Sequence, residues 1–189
     1  MRKRLPSKRV FYNVGQRNIR LVGLIDESVC DLIEEAIQIM TVRNAKQEAR
    51  LSISSNGGDY FASIRLFHII TRSIIPIDTM VLTHAYSGAF LVLQAGRRRY
   101  ANIKATMRFH CCEHQALKGE WYNAKAHKYA AGELDKVDAV QLLIFTARSP
   151  YVSKISHLFF DKEAEITAQQ AKKLNLIDKI LDPKILKPR

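Results

Sequence analysis

The sequence is short of cysteine, of glycine and proline, of long apolar runs and, at its start, of acids, and each shortage removes a class of protein. No stretch of the 189 residues approaches the roughly 18 uninterrupted apolar residues of a membrane helix. The richest segment, from Ile74 to Ala95, is broken by Pro76, Asp78, Thr83 and His84. A chain spanning a bilayer by helices is therefore not expected, and no membrane partner is. Three cysteines, Cys30 and the adjacent Cys111 and Cys112, are an odd number in an arrangement that suits no disulfide framework. A reducing, cytoplasmic compartment is the simpler expectation. Cys111 and Cys112 lie beside His110 and His114, all good zinc ligand types, but the paired C-x-x-C spacing is missing and no metal is expected. Eight Gly and five Pro are too few for a low-complexity chain, and 47% hydrophobic residues are too many for a disordered one.

Acids are scarce where the chain begins. Arg2, Lys3, Arg4, Lys8, Arg9, Arg17 and Arg20 all precede the first acid, Asp26, and a second basic knot joins Arg97, Arg98, Arg99, Lys104 and Arg108 within a net charge of +12. Such clusters suit phosphates. They come without interleaved aromatics on a recognisable binding module, so nucleic acid is not the expected partner and a solvated or partner-facing surface is. No apolar stretch follows the first charges as a secretory signal requires, while their basic, acid-free character leaves an organelle stroma or matrix open.

What is present reads as one α/β domain over residues 19–181, with a basic arm over 1–18 and a tail over 182–189. Asn18 to Leu24 predicts a strand, and Asp26 an N-cap for a helix whose apolar stripe is Val29, Leu32, Ile33, Ala36, Ile37 and Met40. Ala49 to Ser54 predicts a short strand ending in a Ser55-Asn56-Gly57-Gly58 turn. A helix follows from Asp59, a strand from Pro76 through Thr83, a short apolar helix to Gly96, and strands at Arg98 to Asn102 and Thr106 to Phe109. A long helical stretch covers Glu120 to Arg148. Ser149-Pro150 signals another helix, and Thr167 to Gln170 a capping box for a last one, ended by Asn175 before a strand over Leu176 to Leu181. Strands separated by helices argue for a mainly parallel sheet.

Ser87 falls where a strand becomes a helix, a place where free amides and the helix dipole stabilise an anion. Acyl transfer needs a nucleophile, a base, a group that orients the base, and N–H donors where the oxyanion forms. Ser87 can supply the first and His110, at the end of its own strand, the second. The amides of Gly88 and of the Gly57-Gly58 turn, above all Gly58, can supply the oxyanion hole, because glycine lets backbone approach a substrate closely. A serine before glycine is also an ordinary turn, and a lone histidine an ordinary polar residue.

The order of the pieces resembles the Clp protease proteolytic subunit family, a ClpP-like branch of the ClpP/crotonase fold. The resemblance is carried by Leu21-x-Gly23-x-Ile25-Asp26, Ile53-x-Ser55-x-Gly57-Gly58, Ser87 to Gly96, Arg99-Tyr100-Ala101-Asn102 through Met107-x-Phe109-His110, and Thr167-Ala168-x-x-Ala171 with Leu176-Ile177-Asp178. It implies repeated ββα units with a protruding helical handle from Glu120 to Arg148, and a serine endopeptidase with Ser87 as nucleophile and His110 as base. His114, followed by Gln115, is the runner-up for the base. It further implies homo-oligomeric rings, stacked as heptamers, fed unfolded polypeptides by an AAA+ unfoldase ATPase, with no cofactor on this chain. Asn56 stands where the family has Pro, Gly88 where it has a bulkier residue, and Cys111-Cys112 where it has Gln-Pro. The family's aspartate position reads Phe159, which leaves Asp161 as the expected orienting acid and Glu163 as a weaker substitute. Two rivals follow: a non-catalytic or weakly active ring subunit, and a crotonase-type acyl-CoA enzyme.

Overall fold

A computed structural model describes residues 9–111, 124–161 and 164–182. Its elements, in chain order, are β1 (Val10–Asn13), β2 (Asn18–Ile25), α1 (Glu27–Arg43), β3 (Ala49–Gly58), α2 (Tyr60–Thr71), β4 (Ile77–Tyr86), α3 (Gly88–Gln94), β5 (Arg99–Asn102), β6 (Thr106–Arg108), α4 (Ala124–Thr146), α5 (Val152–Phe160), β7 (Glu165–Thr167), α6 (Ala168–Lys173) and β8 (Lys179–Leu181). The strands form one eight-stranded sheet in the order β1-β2-β3-β4-β5-β8, with β6 paired to β4 and to β7. Only β1–β2 and β6–β7 are antiparallel. This is the mixed α/β architecture the strand and helix alternation predicts.

Local chemistry explains where the elements start. Asp26 and Asp59 cap α1 and α2 with side-chain oxygens that accept from Val29 N and Ala62 N, and Thr167 and Gln170 form the reciprocal capping box of α6. Asn175 takes the left-handed conformation, φ 56°, that ends α6. The α1 stripe is Val29, Cys30, Ile33, Ala36, Ile37 and Met40. Cys30 takes the inward place and Leu32, expected there, is exposed.

Four boundaries move for tertiary reasons. Val10–Asn13, within the segment read as an arm, is a strand because it pairs antiparallel with β2. β3 does not stop at Ser54: it runs to Gly58, which still pairs with Ile25 after an irregularity between Val22 and Leu24. The α5 helix starts at Val152, since Ser149 Oγ is engaged elsewhere, accepting from Tyr151 N and donating to Leu174 O at 2.6 Å. The expected final strand shortens to Lys179–Leu181, with Leu176 and Ile177 buried ahead of it.

The core lies between the sheet and its helices, and α3 is its centre, with every residue from Gly88 to Gln94 buried. In α4, no residue from 128 to 140 is buried, and burial begins at Gln141 and Phe145. That stretch of helix adds no buried residue to the core. Arg99, 2% exposed, ties β5 to the end of the chain. Its guanidinium donates to Gln94 Oε1, Asn175 O and Asp178, which in turn accepts from the Arg99 amide at 2.7 Å. A buried guanidinium is tolerable only when its donors are matched in this way.

Candidate active site

The site is built at the carboxyl ends of β3, β4 and β6. β4 ends at Tyr86, and Ser87 turns the chain into α3 with φ 52° and ψ −127°. A non-glycine residue rarely holds that conformation, which costs about 1–3 kcal/mol and persists only where the surroundings impose it. They do so from both sides: Ser87 N donates to Arg108 O at 2.8 Å, and Ser87 O accepts from Phe90 N at 2.9 Å. The Ser87 side chain makes no capping bond to α3, so its half-buried Oγ is not spent on the helix.

The end of β3 presses on this turn. Gly57 has φ 92°, and a Cβ there would lie 2.7 Å from Tyr86 O, 2.9 Å from Gly88 N and 3.0 Å from Ser87 Cβ. Only glycine fits. The Gly57 amide is already bound to Ser55 Oγ at 3.0 Å, which leaves Gly58 as the donor of that turn. A Cβ on Gly88 would lie 3.8 Å from Gly58 N, so the two expected oxyanion donors are neighbours. The same Cβ would stand 2.2 Å from Ser63 Oγ, which α2 holds there by donating to Asp59 O at 2.7 Å. This packing is the reason a bulkier residue does not follow the serine.

β6 carries the candidate base. It runs parallel to β4 with Tyr86 opposite Arg108, and His110 follows two residues on, at the same end of the sheet as Ser87. His110 is half-buried, and the hydrogen bond of its ring among the described residues joins Nδ1 to Cys111 O at 2.7 Å. No described hydrogen bond joins it to Ser87 Oγ. In a resting site such a contact is often open and tightens only around substrate.

The position expected to hold the acid belongs to the core. Phe159 is 0% exposed, with its ring 5.9 Å from that of Phe145 and 5.1 Å from that of Phe160. Phe145 in turn packs on Phe90 and Phe109. The Phe159 carbonyl accepts from Cys111 N at 3.0 Å, so this residue does adjoin the His110 segment, through its backbone. Asp161 is exposed at the C-cap of α5, with its amide donating to Leu158 O and its carbonyl accepting from Ala164 N. The alternatives His114 and Glu163, with Cys112, lie outside the described residues. Among those described, no group of three or more His, Cys, Asp or Glu could hold a metal ion.

One support of the turn escaped the sequence. The Tyr86 hydroxyl donates to the Glu165 carboxylate and shares a 2.7 Å hydrogen bond with Thr106 Oγ1, while the Arg108 guanidinium lies 5.2 Å from the Tyr86 ring centre. Burial, and then the bond to Glu165, push the Tyr86 hydroxyl above its ordinary pKa. These contacts lock the residue before Ser87.

A parallel-centred α/β sheet with helices between its strands, and a strained serine entering a buried helix, define a ClpP/crotonase-like fold. A family model described as Clp protease matches residues 7–184, and the chain belongs to the Clp protease family. Membership places it among peptidases, and implies an oligomeric protease that works with unfoldases. No described helix is long and apolar enough to cross a membrane.

Proposed function

We propose that the chain is a serine endopeptidase subunit of a compartmentalised, ATP-dependent protease, with Ser87 as nucleophile and His110 as general base. The observation that carries this reading is the strained Ser87 turn, held by Arg108 and abutted by a glycine that nothing else can replace. In the first half-reaction Ser87 Oγ attacks the scissile carbonyl carbon while its proton passes to His110 Nε2. The oxyanion is received by the Gly58 and Gly88 amides. The C–N bond then breaks as the same proton moves to the leaving amine, and an acyl-serine remains. Water attacks the ester with His110 taking and returning its proton, which frees Ser87.

The wider assignment follows the family. Copies of the chain assemble into stacked rings, heptamers in this reading, joined through α4 and fed unfolded polypeptide by an AAA+ unfoldase. The chain needs no cofactor of its own and works in the cytoplasm or an organelle stroma or matrix. Asp161, exposed at the end of α5, is the carboxylate left to stabilise the imidazolium. Hydrolysis of an unstructured polypeptide by the assembled protein, abolished by Ser87→Ala, tests the proposal.

A second reading has one observation in its favour. Phe159 commits the acid's place to the core, which suits a weakly active or non-catalytic ring subunit. Wild-type protein that assembles and yet hydrolyses nothing supports that reading over the first.

A further inference from the structure

A triad acid performs two separable tasks: it fixes the tautomer and orientation of the imidazole, and it stabilises the imidazolium that forms. We infer that in this chain the first task belongs to the main-chain carbonyl of Cys111, held in place by the main-chain carbonyl of Phe159; the inference rests on the Ser87–His110 reading above. A carbonyl oxygen can only accept. The 2.7 Å contact between His110 Nδ1 and Cys111 O therefore places the proton on Nδ1 and leaves the Nε2 lone pair free to take a proton from Ser87.

An acceptor positions a base only if it is itself fixed, and this one is. Cys111 N donates to Phe159 O at 3.0 Å, which ties the Cys111 residue to the last turn of α5. Phe159 is immobilised in turn by its ring, fully buried among Phe145 and Phe160, with Phe145 packed on Phe90 of the nucleophile helix. The side chain that displaced the carboxylate thus anchors its replacement. The relay runs from a core aromatic to the backbone of Cys111 and from there to the imidazole, with no charged group in it.

A neutral carbonyl performs the second task poorly, since its dipole stabilises a cation less than a carboxylate does. Asp161, exposed at the end of α5, remains for that task. Cys111 and Phe159 are positioning residues, and the consequence is a peptidase with the correct tautomer and a modest rate.

The test has two arms on the full-length protein. Nitrogen-15 spectra of histidine-labelled wild type, with the His110 signals assigned by difference from His110→Gln, read the tautomer directly. A single neutral form protonated at Nδ1 is expected, and an Nε2-protonated form or a mixture overturns the inference. In the second arm the amide that follows Cys111 is replaced by an ester, using the α-hydroxy analogue of Cys112, which weakens Cys111 O as an acceptor. Turnover is expected to fall about tenfold, the equivalent of one hydrogen bond, with KM unchanged and the tautomer mixed. Unchanged turnover with an unchanged tautomer overturns the inference. A wild type whose Ser87 never reacts contradicts the peptidase reading instead, and the tautomer measurement still decides the assignment at His110.

Discussion

The amide of Cys111 donates to the carbonyl of Phe159 at 3.0 Å. The residue that stands in the acid's place is therefore joined by backbone to the segment that carries the base, while its side chain belongs to an aromatic core. This contact explains how the site can keep its shape after losing its carboxylate.

Restoring the carboxylate should not restore a triad. Phe159→Asp puts a charge in a fully buried place beside the Phe145 and Phe160 rings, and Phe159→Ala leaves a large cavity. Each is expected to destabilise the fold by about 3–5 kcal/mol, read as a lower midpoint in urea. A Phe159→Asp protein as stable as wild type and more active contradicts the core assignment.

Asp161→Asn should reduce turnover by no more than about tenfold, because an exposed carboxylate is screened by water. Loss of a buried orienting acid costs about 10⁴-fold. A loss of that size on Asp161→Asn gives both triad tasks to Asp161.

Gly57→Ala should leave the sheet formed and reduce turnover by at least about 100-fold. The new Cβ meets Tyr86 O and Gly88 N and must push the Ser87 turn aside, and a displacement near 1 Å at a nucleophile has that effect. Steady-state kinetics beside circular dichroism separate the two effects. Full activity means that β3 does not brace Ser87.

What the sequence disclosed and what it withheld divide by distance along the chain. The capping box of Thr167 and Gln170 spans three residues, and the α1 cap at Asp26 another three, so local patterns display both. The serine at a strand-to-helix turn was legible in the same way. The bond from Tyr86 to Glu165 crosses 79 residues and has no local trace. Phe159 was legible as a departure, but its burial depends on Phe145 and Phe160, and its carbonyl's bond to Cys111 on a meeting of α5 with the end of β6. Leu32 shows the same limit: a helical stripe wider than its partner surface leaves one edge in water.

Cys30 should resist alkylation. Burial pushes its thiol up to about 11, and its Sγ lies 3.2 Å from Ala62 O. Thiolate is scarce at pH 8 under those conditions. Iodoacetamide should spare Cys30 in the folded protein and modify it in urea, as peptide mass mapping would read. Rapid native modification contradicts the packing of α1 on α2.

Acid should release the clamp between Arg9 and Asp26. The Arg9 hydrogen bond, with help from Ser28, holds the Asp26 carboxyl down at about 2, below its unfolded value near 4. A depressed carboxylate stabilises fully above the unfolded value and loses that contribution as pH falls toward the folded one. Arg9→Ala should therefore be less stable than wild type at pH 6, with the gap closing between about pH 4 and 2 and narrowing in high salt. A gap that persists at pH 2 means that Arg9 acts by packing alone.

Ser87 should behave as an activated nucleophile, and a serine-directed fluorophosphonate reads this at the residue itself. Incubated with the assembled protein, the probe should label Ser87 alone. The labelling should be lost in Ser87→Ala and strongly slowed in His110→Ala, with mass spectrometry placing the adduct on the peptide that spans β4 and α3. Correctly assembled wild-type protein that carries no adduct on Ser87 would mean that Ser87 is not the nucleophile.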